Sequence, residues 1–264
     1  MTAIVVAESV TQLGPEARGA VLVAGSHAGV IAARYAARAG ARAVLFNDAG
    51  VGKDGAGIAG LAYLEALGMA AAAVAHHSAR IGDGADTLAR GIVSHANALA
   101  ARCGVAPGMS GRDAAERLRA APALHTAPPS CGEGRFRVHA AAGAREVWAL
   151  DSVGQIEPAD AGRVLVIGSH AALHGGRPES ALTVDAHAAV FHDAGNGAAG
   201  VTRLPALAAR GIPAVAVDGA TARIGDGRSL WESGIVAHLN DPAARGGATR
   251  GMTAREFALQ AAQS

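Results

Sequence analysis

Four short, nearly uninterrupted apolar runs open the chain: AIVVA at 3–7, AVLVA at 20–24, ARAVLF at 41–46 and AAAAVA at 70–75. Runs of this kind are what strands buried on both faces require. Between them the apolar spacing changes to the helical period. GVIAARYAARAG stops at Gly40, and AGIAGLAYLEALG sets Ile58, Leu61, Leu64 and Leu67 on one stripe before Gly68. Strands alternating with such helices predict βαβ units and a parallel sheet. The direction of the first strand is the weak link, because only about a dozen residues join it to the second, near the minimum for a crossover. Further on, Leu88, Ile92, His95 and Leu99 share i, i+4, i+7, i+11 spacing, which predicts a helix with His95 as a hydrogen-bonded core histidine on its apolar face. SGRD (110–113) and TARE (253–256) have capping-box spacing and open the last helix of each half.

The pattern is written twice. Ser9 and Ser152, His27 and His170, Arg80 and Arg223, His95 and His238, and Met109 and Met252 are each 143 residues apart. SARIGDG (78–84) returns as TARIGDG (221–227), and GIVSHAN (91–97) as GIVAHLN (234–240). EVWAL, RVLVI, HAAVF and PAVAV repeat the four apolar runs. A shared offset over so many words predicts an internally duplicated α/β chain. Its Rossmann-like βα units would form mainly parallel sheets related by a pseudo-two-fold axis. The register slips near His174 and again at Lys53-Asp54, which have no counterpart in the second copy. The reading divides the chain into a first repeat (1–118), a connector (119–144) and a second repeat (145–264). The connector begins Pro/Gly-rich and continues into a hairpin strand.

Composition narrows the function classes. Half of the 264 residues are hydrophobic but only 3% are aromatic, and the formal net charge is +1 with no basic block. Neither nucleic acid nor a membrane surface is therefore expected as a partner. MTAIVVAES offers too short an apolar stretch for a leader, and no run is long enough to span a bilayer, so the expected compartment is the cytoplasm. Cys103 and Cys131 lack metal-ligand spacing and read as incidental thiols.

The polar residues that follow the strands supply the candidate chemistry. Glu8, Ser26-His27 and Asp48 would converge on the carboxyl edge of the sheet with Arg80 and Asp83, where open α/β sheets bind ligands. The second copy would supply Asp151, Ser169-His170, Asp193, Arg223 and Asp226. His27, His170, Asp48, Asp193, Glu8 and Lys53 are the candidate acid/base groups. Lys53 sits in a glycine-rich loop, GVGKDGAG, that only the first copy has. Ser26, Ser169, Arg80, Arg223, Asp83 and Asp226 are the candidate substrate-binding groups, with each arginine suited to an anion. The bland reading of the same residues is structural: caps, an Arg–Asp loop brace and a solvated lysine. G-x-G-x-x-G is absent, and Ala24 stands where G-x-S-x-G needs glycine, so neither a nicotinamide site nor a nucleophile elbow is expected. No cofactor is expected; a divalent metal would suit His and carboxylates, but no local ligand pair points to one.

The expectation is a hydrolase or lyase acting on a small anionic amide or carboxylate compound at the carboxyl edge between the repeats. The rival is a non-catalytic sensor binding a small anion or nucleotide. A structural pseudo-dimer bracing a homo-oligomer is the third reading.

Overall fold

Alternation within the apolar runs explains how the sheets come to be covered on both faces. The computed structural model describes residues 2–123, 132 and 134–264. These form two compact units, 2–51 with 55–123, and 52–54 with 132 and 134–264.

In the first unit, β1 (Ile4–Ala7), β2 (Val21–His27), β3 (Ala43–Asn47) and β4 (Ala70–Val74) are parallel, and β5 (Val93–Ala96) pairs antiparallel with β4. Strand order follows chain order. Leu22, Ala24, Val44, Phe46, Ala71 and Ala73 pack on α1 (Val30–Arg38) and α2 (Ala59–Ala66). Their neighbours Val21, Val23, Ala43, Leu45, Ala70 and Ala72 pack on α4 (Ala98–Arg102) and α5 (Gly111–Leu118). One strand thus feeds two cores, because successive side chains point to opposite faces. The short link between β1 and β2 is long enough for a parallel pairing because two single 3-10 turns, Val10–Gln12 and Pro15–Ala17, replace a full helix.

The helix expected over Leu88–Leu99 does not form. α3 (Gly84–Arg90) stops at Gly91, and Val93–Ala96 is an edge strand. The i, i+4 spacing there was coincidental, and His95 lies on a strand instead of an apolar helix face.

The second unit repeats this order. β7 (Val147–Leu150), β8 (Val164–His170), β9 (Ala188–His192) and β10 (Ala214–Val217) are parallel, with β11 (Val236–Leu239) antiparallel at one edge. β6 (Arg135–His139) covers the other edge, pairing antiparallel with β7 as the predicted hairpin required. α6 (Arg203–Ala209) lies on one face; α7 (Gly227–Ser233), α8 (Asp241–Arg245) and α9 (Ala254–Ala262) lie on the other. The two halves are therefore similar α/β layers. Cys131 and residues 124–130 of the connector lie outside the described residues, and Cys103 is a free, half-buried thiol.

The repeated word ending in asparagine has a packing role in each unit. Asn97 Oδ1 accepts from Ala71 N (3.1 Å) and Ala100 N (2.9 Å), while Nδ2 donates to Met69 O (2.9 Å) and Leu61 O (3.3 Å). Asn240 makes the same four bonds with Ala214, Ala243, Ile212 and Leu204. One buried amide thus joins a helix end, a strand start and a helix cap.

The halves part where the second lacks α1. There β8 runs into 3-10 turns at His174–Gly176 and Pro178–Ser180, since neither the paired glycines nor Pro178 sustain a helix. In the first unit Gly60 N donates to Ala28 O (2.8 Å), and a Cβ at Gly60 would lie 2.7 Å from Ala33 on α1. In the second unit Arg203 N makes the matching bond to Ala171 O (2.7 Å), and its side chain, 1% exposed, enters the region α1 would fill. The guanidinium donates to the carbonyls of Ser180 and Ala181 and to His174 Nε2 at 3.1 Å. Burial pulls Arg203 down to about 9, still a cation at neutral pH. Burial, helped by the Arg203 and Arg177 charges, pulls His174 down to about 3.

Two outcomes follow. Asn97→Ala, which orphans several buried backbone groups, should lower the unfolding free energy by about 2–4 kcal/mol in a denaturant titration. His174 is neutral when folded but protonates near its ordinary value of 6.5 when unfolded, so its contribution is intact above that pH. It is lost progressively as the pH falls from 6.5 toward about 3. Chemical denaturation across that window should show a shallower loss of stability for His174→Gln, which can still accept from Arg203.

Candidate active site

The words shared by the two halves build a brace at the carboxyl edge of each sheet. Gly82 N donates to Gly25 O (2.7 Å), and Gly225 N to Gly168 O (2.8 Å). A Cβ at Gly25 would stand 2.3 Å from Asp83 N, so only glycine admits this approach. Glu8 Oε2 accepts from Gly84 N, and Asp151 Oδ1 from Gly227 N, each at 3.0 Å. Burial holds the Asp151 carboxyl above the ordinary carboxylate range, partly offset by N–H donors from Gly134 and Gly227. Ser26 and Ser169 accept from the backbone of Val10 (3.1 Å) and Val153 (3.0 Å). His27 and His170 are buried, and their Nδ1 atoms accept from Gly29 N (3.0 Å) and Ala172 N (3.3 Å). Asp83 and Asp226 cap α3 and α7.

Both arginines carry carboxylate partners. Arg80 Nη2 meets Asp83 at 3.0 Å and Asp86 at 3.2 Å, and its hydrogen bond to Asp86 raises its pKa. Arg223 meets Asp54 at 2.8 Å and Asp226 at 3.3 Å. Lys53 sits in the second unit, donating from Nζ to Thr221 O (3.1 Å) and Ser233 Oγ (2.9 Å) near the end of α7.

Asp48 is placed differently. It is 3% exposed at the end of β3, and Oδ1 accepts from Gly50 N (3.0 Å), His76 N (2.8 Å) and His76 Nδ1 (2.9 Å). Oδ2 accepts from Ser94 Oγ at 2.8 Å, and Ser94 Oγ lies 3.0 Å from His95 Nδ1. Because a carboxylate only accepts, neutral His76 carries its proton on Nδ1 and its basic lone pair on Nε2. The result is a continuous chain, His76–Asp48–Ser94–His95, at the sheet's carboxyl edge. The backbone after Asp48 is strained, with Ala49 at φ 50° and Val51 at φ 63°. Such conformations cost about 1–3 kcal/mol each, and Ala194 after Asp193 repeats the first of them at φ 58°.

The second unit keeps the carboxylate and loses the chain. Gly219 stands for His76 and Ala237 for Ser94. Gly219 N still donates to Asp193 Oδ1 (3.0 Å), but His238 Nε2 is 3.8 Å from Asp193 Oδ2, too far for a hydrogen bond. The neighbouring His192 is fully buried, accepting from Ala194 N (2.9 Å) and facing Ala222 O (3.1 Å). Burial holds its pKa below the ordinary value, so it is a neutral structural group in the place of Asn47.

Of the candidate site residues picked from sequence, Asp48 alone joins this chain; His95, expected as a core histidine, joins it from the edge strand instead. His76 and Ser94 escaped notice because the repeated words drew attention to what the halves share. The differences between the halves at these aligned positions were the available signal. Ser94 and His95 also line a groove of about 710 Å³ beside α2 and β5. Among the described residues no three His, Cys, Asp or Glu side chains gather as a metal site, and no helix is long and apolar enough to cross a membrane. Compared with known proteins, the chain matches no family model, no curated protein and no solved structure.

The geometry fixes a tautomer that is open to measurement. Nitrogen-15 NMR of the histidine rings should report neutral His76 protonated at Nδ1. Asp48→Asn, whose amide can donate, should shift that population toward Nε2–H.

Proposed function

We propose that the protein is a hydrolase or lyase of a small amide or carboxylate compound, with His76 as its acid/base group and Asp48 as the residue that orients it. One observation carries the reading: a buried carboxylate bonds at once to an imidazole Nδ1 and to a serine hydroxyl, in one half only. A carboxylate on Nδ1 selects the tautomer whose Nε2 can take a proton and stabilises the imidazolium that results. His76 Nε2 would take a proton from water, or from carbon next to a carboxyl group, and return it to the leaving group. Ser94, whose single proton goes to Asp48, and His95, which donates to Ser94 from Nδ1, would hold that carboxylate in place opposite His76. The second half is read as a descendant of the same duplicated unit that retained the brace without the chemistry.

Arg80 and Arg223 each have two carboxylates at hand, which favours an uncharged reacting group over an anion held by arginine. The test is turnover across a panel of small amides, lactams and amino-carboxylates, followed by amine or ammonia release. On any substrate found, Asp48→Asn and His76→Gln should each lower kcat by about a hundredfold to ten-thousandfold. His238→Gln should leave it unchanged. Full activity in His76→Gln overturns the reading.

A further inference from the structure

We propose that the groove along α2 and β5 binds a molecule with an apolar body and a protonated amine, with Glu65 receiving the amine. This rests on the reading of Asp48 and His76 as the reacting centre, since Ser94 belongs to both. Ile58, Leu61, Ala62 and Pro107 give the groove an apolar wall, and its volume of about 710 Å³ suits a small organic molecule. Its polar lining includes Glu65, Ser94 and His95. Glu65 is its one carboxylate, and no lysine or arginine lines it among the described residues.

Glu65 is exposed on the last turn of α2. One of its oxygens, Oε2, accepts from Ala98 N at 2.6 Å, which anchors the carboxylate at the start of α4. A carboxylate has about four acceptor positions, so the anchored group retains capacity for a further donor. An ammonium matches it in charge and in hydrogen-bond sense, whereas an anion would meet a fixed like charge. The apolar wall rewards removing a hydrocarbon body from water and gives a fully hydrated small cation nothing comparable. The placement sets a distinct substrate class for the acid/base chain: an amine-bearing amide or carboxylate compound whose reacting group lies toward Ser94.

The full chain is titrated with n-hexylammonium, hexanoate and hexanol, followed by two-dimensional NMR and calorimetry. Hexylammonium should bind saturably and shift resonances of residues 58–66 and 94–97, and hexanoate should not bind. Glu65→Gln, which retains the acceptor for Ala98 N, should weaken hexylammonium by about five- to tenfold. Ala62→Phe, on an exposed wall position, should abolish binding by filling the groove. No saturable binding, equal binding of hexanoate, or unchanged affinity in Glu65→Gln overturns the proposal. Asp48→Asn separates the two readings. Unchanged hexylammonium affinity with turnover lost supports both. Turnover retained with binding as expected removes the catalytic reading alone, and turnover lost with no hexylammonium binding removes the groove alone.

Discussion

The approach of the turn at Gly82–Asp83 onto Gly25 is the contact on which each half's carboxyl edge depends. It places the start of α3 against the ends of β1 and β2, where Glu8 can accept from Gly84 N. The same arrangement recurs with Gly168, Gly225, Asp151 and Gly227. At the other end of β4 and β10, Asn97 and Asn240 tie helix, strand and cap with four bonds each. A sheet built almost wholly from Ala, Val and Leu has few large side chains to lock its register, so backbone-to-backbone fit and buried amides take over that role.

The two halves show how a shared frame tolerates local exchange. Arg203 against Gly60 is the clearest case. Removing one helix leaves space and unpaired carbonyls, and a guanidinium fills the first while donating to the second. A buried cation is costly to desolvate, and the cost is expressed in the lowered pKa values of Arg203 and His174. His192 in place of Asn47 is a gentler exchange, since both side chains accept from the backbone N–H two residues on and face the carbonyl of the following loop.

Chemical asymmetry follows the same logic. Asp48 and Asp193 accept equivalent backbone N–H groups, so the carboxylate belongs to the frame. What differs is whether side chains extend it. His76 and Ser94 convert a turn-stabilising carboxylate into the middle of a hydrogen-bonded chain, whereas Gly219 and Ala237 leave it a turn. The left-handed residue after each carboxylate, Ala49 and Ala194, belongs to the shared turn.

The alternating strands and helices, the hairpin at β6 and β7, and the likeness of the two halves were legible in the sequence because they rest on local periodicity and on repetition. The capping residues Ser110 and Thr253 were legible for the same reason. The helix expected across Gly91 was not borne out, because strand pairing to β4 outweighs a coincidental helical spacing. Of the candidate site residues expected from sequence, only Asp48 belongs to the hydrogen-bonded chain. Its partners His76 and Ser94 lie 28 and 46 residues further along the chain, and nothing local in either position marks a meeting with that carboxylate. Parallel β3 and β4 bring His76 beside Asp48, and antiparallel β5 brings Ser94. The sequence by itself determined the buried strands, most of the helices between them and the caps of the last helix in each half, since these follow from side-chain pattern and turn chemistry within a few residues. Only the tertiary structure decided which polar groups brace the frame and which make a chain, because that depends on strand order and register between distant segments.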